Sequence, residues 1–196
     1  MMFSEVNKLN TSARCVAEII QRINNSDNFV GKKELVVREF SLMEVIKLAV
    51  RQNKPTLSAR GQKVTIDLES DTHNIIQDKL LVFQITDELL CNASTFGTKS
   101  TEIVIAANSD GTNTPTLTVS VKSYGNSIDE KVKSKIFKSP IKKKNKTCYG
   151  LYIASRIANR IGGNLSYSYF DEQNIFTLEL PIMKVSGEAD VQVLGI

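Results

Sequence analysis

Four alternating segments in the second half of the chain constrain the fold most. Thr101 to Ala107 and Thr116 to Val121 form one strand pair, Leu165 to Tyr169 and Ile175 to Leu180 a second. Each alternates apolar and polar residues, the signature of a strand with one buried face. Asp110-Gly111 marks a turn in the first pair, and Asp171 to Asn174 the turn in the second. A helix between the pairs opens at Gly150, runs through Ile153 and Ile157 to Ile161, and stops at Gly162-Gly163. Paired strands with a helix between them make an antiparallel sheet with its helices on one side. An alternating parallel sheet would space its strands singly.

Upstream, Leu35 to Val37 read as a short strand. Ser41 caps a helix through Val45, Ile46 and Ala49, with Glu44 three residues after the cap and Pro55 at or just beyond its end. Val64, Ile66 and Leu68 form another half-buried strand. A long helix follows from about Gln77 to Phe96, with Leu80, Leu81, Phe83, Gln84, Ile85, Glu88, Leu89, Asn92 and Ala93 available to face inward and Gly97 as its stop. The fold expected is therefore α+β, a two-layer α/β sandwich over residues 34–181. Residues 2–23 repeat apolar side chains at three- and four-residue steps, which predicts a leading amphipathic helix within residues 1–25. Such a helix needs a partner to cover its stripe.

Composition excludes several classes. No apolar run is long enough to span a bilayer, and no basic-then-apolar start suggests a secretory signal. The three cysteines, Cys15, Cys91 and Cys148, have neither zinc-site nor disulfide-framework spacing and suit a reducing, cytoplasmic setting. Net charge is only +4, yet Lys131, Lys133, Lys135, Lys138, Lys142, Lys143, Lys144 and Lys146 crowd one stretch. That stretch reads as a solvated, mobile loop ahead of a nucleic-acid site.

The long helix carries a specific pattern, Asp78-x-x-Leu-Val-x-Gln-Ile-x-x-Glu-Leu-Leu-x-Asn-Ala. It resembles the N-box of the ATP-binding domain of sensor histidine kinases. The wider superfamily includes type II topoisomerases, MutL-type ATPases and Hsp90. The resemblance implies that Asn92 holds Mg²⁺ against ATP phosphates. It implies that Glu88, four residues earlier on the same helix face, contacts the metal or acts as a general base. Kinases of bacterial type often have asparagine there, and the ATPases glutamate. Val121-Lys-Ser-Tyr-Gly-Asn-Ser-Ile resembles the G1 box, with Ser123 where the adenine-reading aspartate belongs. Gly125 is kept, Ser127 replaces the second glycine at a position expected to need a glycine-like φ, and Ile128 keeps the apolar contact. Cys148-Tyr-Gly-Leu-Tyr-Ile resembles the G2 box, with Cys148 in place of the first glycine. Gly150 and Leu151 then border the phosphates, helped by Lys142 and Lys146 of a short lid over residues 138–149.

The leading helix resembles the second helix of the kinase dimerisation hairpin, and the first helix with its phospho-accepting histidine is missing from the sequence. His73, the sole histidine, lies in a loop and reads as a surface residue. The segment Asp190 to Ile196, within the 182–196 tail, resembles the first strand of a receiver domain. The resemblance thus implies a two-component signalling module that binds ATP and Mg²⁺ weakly or not at all and lacks its own acceptor histidine. If active, it would phosphorylate a histidine outside this chain. Its expected partner, through the leading helix, is a second copy, a kinase or a response regulator. A non-catalytic docking module and an ATPase using Glu88 are the alternatives.

Overall fold

A computed structural model describes residues 34–110, 115–143 and 146–182. The leading helix and the receiver-like tail lie outside the described residues. The described residues from Val36 onward belong to one compact unit.

Strand β1 (Val37–Ser41) leads directly into helix α1 (Leu42–Ala59), where the Ser41 hydroxyl caps the N–H of Glu44. The short strand was expected earlier, at Leu35 to Val37, and it sits later because β1 pairs antiparallel with a strand not foreseen, β3 (Asn74–Asp78). Helix α1 also runs past its expected end, with Pro55 inside it. Proline deprives the Arg51 carbonyl of its helical partner, but Arg51 is exposed to water, and Leu57 one turn on is buried. The apolar stripe of Leu42, Val45, Ile46, Ala49 and Leu57 decides in favour of continuing. Each fully buried Leu or Ile contributes about 1.5–3 kcal/mol.

β2 (Lys63–Leu68) is followed by β3 and helix α2 (Lys79–Phe96). Asp78 ends the strand and caps the helix, accepting from the N–H groups of Leu80 and Leu81 at 3.1 and 3.2 Å. Its other oxygen accepts from Val36 at 3.0 Å. The inward side of α2 holds Val82, Ile85, Leu89, Leu90 and Ala93, whereas Leu80, expected inward, is 60% exposed at the helix start.

β4 (Glu102–Ser109), β5 (Thr116–Tyr124), β8 (Asn164–Phe170) and β9 (Gln173–Pro181) complete the main sheet, ordered β2-β4-β5-β9-β8. β2 runs parallel to β4 and the other neighbours are antiparallel. Alternation puts Ile103, Ile105, Leu117, Val119, Val121, Phe176, Leu178 and Leu180 into one core, against α1, α2 and α4 (Gly150–Arg160). The expected two-layer sandwich is what forms.

Between β5 and α4 lie a single helical turn, α3 (Glu130–Lys133), and a hairpin of β6 (Ile141–Lys143) and β7 (Lys146–Cys148). The lysine-rich stretch is therefore part of a strand pair. Alternation of Ile141 and Cys148, which pair directly, supplies an apolar rung that a lysine count hides.

Candidate functional site

The C-terminal half of α2 faces the start of α4. Glu88 and Asn92 are one helical turn apart, and both reach Gly150, the first residue of α4. A methyl group placed on Gly150 would collide with Glu88 Oε2 and lie 3.5 Å from Asn92 Nδ2. A larger residue there would have to displace the Glu88 carboxylate; Glu88 and Asn92 lie on one face of α2, and Gly150 lies against them. Asn92 donates its Nδ2 to the Glu88 carbonyl at 2.8 Å. That bond turns the amide and leaves Oδ1, the atom type that binds hard cations, out of it. Tyr149 precedes α4 without a side-chain cap, so the N–H groups of its first turn have no such acceptor.

Glu88 is the most perturbed acid near this junction. Its carboxyl rises from the ordinary 4.5 to about 7, chiefly through burial and further through the charge of Asp87. Burial also raises Asp87, against a hydrogen bond from Asn53 that lowers it. Asn53 bridges α1 to α2, donating Nδ2 to Asp87 Oδ1 at 2.8 Å and to the Ala49 carbonyl at 3.0 Å. A carboxyl near 7 beside an open helix N-terminus can take or give a proton at neutral pH.

Ser123 lies on the helix side of β5, in line with Leu117, Val119 and Val121, and is buried. It faces Gly97 at the end of α2, where a Cβ would come within 3.4 Å of its own. The strand extends to Tyr124, so Ser123 sits inside a ladder, paired with Ile103 and Asn174. Gly125 follows with φ 155°, a conformation that excludes most side chains. Ser127 is exposed and has no positive φ, so the glycine-like conformation expected of it is absent. Ile128 and Leu151 are half-buried against the core. Lys142 is exposed on β6, and the side-chain role expected of Lys146 lies outside the described residues. Cys148 is half-buried at the end of β7, and His73 is exposed in the turn before β3.

Sequence reading missed Asn53, Tyr167 and Asn174. Tyr167 and Asn174 fall within alternating strands, where a polar residue on the inward side was the available signal. A groove on the opposite sheet face, between Asp67, Glu69 and Lys122, gathers no glycine and, for a helix end, only the N-cap of the 3-10 turn Ser70–Thr72. The chemistry therefore concentrates at the junction of α2, α4 and the β5 exit.

Residues 77–184 match the family model described as histidine kinase-, DNA gyrase B- and HSP90-like ATPase. The chain belongs to this family. Its fold is similar to that of the Acinetobacter baumannii histidine kinase AdeS, with a TM-score of 0.74 at 16% identity, covering 93% of this chain and 84% of AdeS. The catalytic domain of histidine kinase ThkA, in a nucleotide-free form, gives 0.65 at 24% identity over 74% of this chain and 97% of that domain. Full-length ShkA in complex with AMPPNP gives 0.72 at 18% identity, over 91% of this chain and 38% of ShkA. No curated protein matches the sequence. No helix among the described residues is long and apolar enough to cross a membrane. In this ATPase-family domain Glu88, Asn92 and Gly150 meet between α2 and α4, and Ser123 lies buried on β5.

Proposed function

We propose that the chain is a histidine-kinase-type nucleotide-binding module of a two-component system, with reduced affinity and reduced preference for adenine. The observation that carries this reading is the convergence of Glu88, Asn92 and Gly150 at the uncapped start of α4. When bound, Mg²⁺ and ATP supply a transferable γ-phosphoryl group, and the protein contributes position and charge. Asn92 Oδ1 would hold the metal, which would neutralise phosphate charge. The first N–H groups of α4 beside Gly150 and Leu151 border the phosphates. Lys142 and Lys146 add positive charge from the lid hairpin. Glu88, with its raised carboxyl, serves as base or polarises the attacking group.

On the adenine side Ser123 replaces a carboxylate with a neutral hydroxyl. A neutral hydrogen bond to the base amino group is about half as strong as a charged one. The acceptor histidine would come from another chain or segment, and the partner would be a second copy or a response regulator in a cytoplasmic complex. Calorimetric titration of the full chain with ATP and Mg²⁺ tests the reading. Heat with a dissociation constant in the high micromolar to millimolar range supports it, and a folded sample giving none at millimolar ATP overturns it.

Ser123 favours a second reading, a non-catalytic module that docks a kinase or regulator and retains the fold for its surface. It predicts no phosphoryl transfer to any added partner even where nucleotide binds.

A further inference from the structure

The loop leaving β5, from Gly125 to Asp129, has no regular structure, yet side chains from β8 and β9 hold its backbone. The Ile128 N–H donates to the Tyr167 hydroxyl at 3.0 Å. That hydroxyl donates to Asn174 Oδ1 at 2.8 Å. Asn174 Nδ2 donates onward to the Asn126 carbonyl at 3.2 Å. The Gly125 N–H is held separately by the Glu172 carbonyl at 3.0 Å. Asn174 is buried and stands directly opposite Ser123 across the β5–β9 ladder. The Tyr167 ring packs on Phe176, centroids 5.2 Å apart, and Lys133 Nζ of α3 lies 5.8 Å from its centroid.

This chain of bonds is directional. Tyr167 accepts and donates through one oxygen, and phenylalanine can do neither. Asn174 uses both ends of its amide, and an aspartate would keep the acceptor while losing the donor. Breaking a link leaves a partly buried partner unpaired, which costs more than the bond contributes. The residues are thus built to fix a loop that lacks a second glycine and whose Ser127 adopts an ordinary backbone conformation.

We propose that Tyr167 and Asn174 are positioning residues that hold Gly125–Ile128 in the shape that borders the base and ribose of a bound nucleotide. The proposal rests on the nucleotide reading above. Neither residue touches the phosphates; both act through the loop.

The test uses the full chain with Tyr167→Phe and, separately, Asn174→Asp. Amide exchange over residues 126–128 is followed without ligand. Affinities are measured for Mg·ATP and for inorganic tripolyphosphate, which engages the phosphate side alone. In Tyr167→Phe, protection at Ile128 should fall about tenfold, the scale of one buried hydrogen bond. Exchange in the β5–β9 ladder should stay unchanged. Mg·ATP should weaken about three- to tenfold with tripolyphosphate unchanged. Asn174→Asp should loosen Asn126 to Ile128 with the same ligand pattern. Unchanged loop exchange in folded variants overturns the proposal, as does equal weakening of ATP and tripolyphosphate, which marks general loss of structure. A wild-type chain that binds neither ligand removes the nucleotide reading and the base-and-ribose role with it, while exchange still decides whether the tether orders the loop.

Discussion

Replacing Glu88 with glutamine isolates the electrostatic cost of the site. The carboxyl is displaced from 4.5 to about 7 by burial and by Asp87. At ~1.4 kcal/mol per pH unit, that displacement corresponds to about 3 kcal/mol of destabilisation once the group is ionised in both states. The open N-terminus of α4 beside Gly150 opposes it, favouring a negative charge by about 0.3–1 kcal/mol. Residual solvent contact trims it further, leaving ~1–2 kcal/mol. The sign follows from proton counts. Between pH 4.5 and about 7 the folded chain keeps a proton that the unfolded chain has released. This contribution to stability is therefore greatest below pH 4.5, declines as pH rises through 7, and is flat above. Glutamine keeps the shape without the charge. Glu88→Gln should melt above wild type at pH 8 by about 2–8 °C, given 2–4 °C per kcal/mol for a domain of this size. The two melting curves should converge as pH falls toward 4.5. Thermal scans by circular dichroism at half-unit pH steps measure the gap. A gap independent of pH between 5 and 8 would refute the argument, because a purely steric effect of the substitution carries no proton linkage.

Asp78→Ala should destabilise the domain by about 1–2 kcal/mol, since one carboxylate caps α2 and also holds Val36, while Asp78→Asn should recover only the cap, because an amide nitrogen cannot accept from the Val36 N–H; denaturant midpoints at pH 7 decide. Ser123→Asp should cost the ligand-free protein ~1–3 kcal/mol by burying an acceptor against Gly97, and should raise preference for ATP over GTP through a charged bond to the adenine amino group. Competition titrations read the preference, and an unchanged ratio would exclude Ser123 from the base side.

The sandwich was legible because its information is periodic. Leu117, Val119 and Val121 announce one face of β5, and its neighbours β4 and β9 carry the same alternation toward the same core. Boundaries were less legible where two rules compete. Proline at 55 signals a stop, but the demand of Leu57 for cover outweighs one lost hydrogen bond. β3 went unread because Asn74 to Asp78 is short and its pairing partner β1 is remote in sequence. At the candidate site, the meeting of Glu88, Asn92 and Gly150 could be read from helical spacing and motif, since each sits on a regular element. The Tyr167–Asn174 tether could not, because a polar residue on the inward side of a strand marks a buried partner without saying which loop it holds. Nor could the raised Glu88 carboxyl, whose burial depends on α4 arriving from 62 positions downstream at Gly150.

The turn between β8 and β9 has a consequence in time. Asp171 and Glu172 both adopt positive φ, 49° and 58°, so a two-residue turn closes that hairpin. Such hairpins form within about 1–10 μs. β2 and β4, by contrast, are parallel and cannot meet until β3 and all of α2 have been threaded between them. Tyr167 and Asn174 belong to the fast element, Glu88 and Asn92 to the helix of the slow crossover. The two halves of the proposed site thus mature on different clocks, and a ligand spanning them would find its full set of contacts only after the slowest docking event. Binding energy of that kind appears as slower unfolding, with the refolding rate almost untouched.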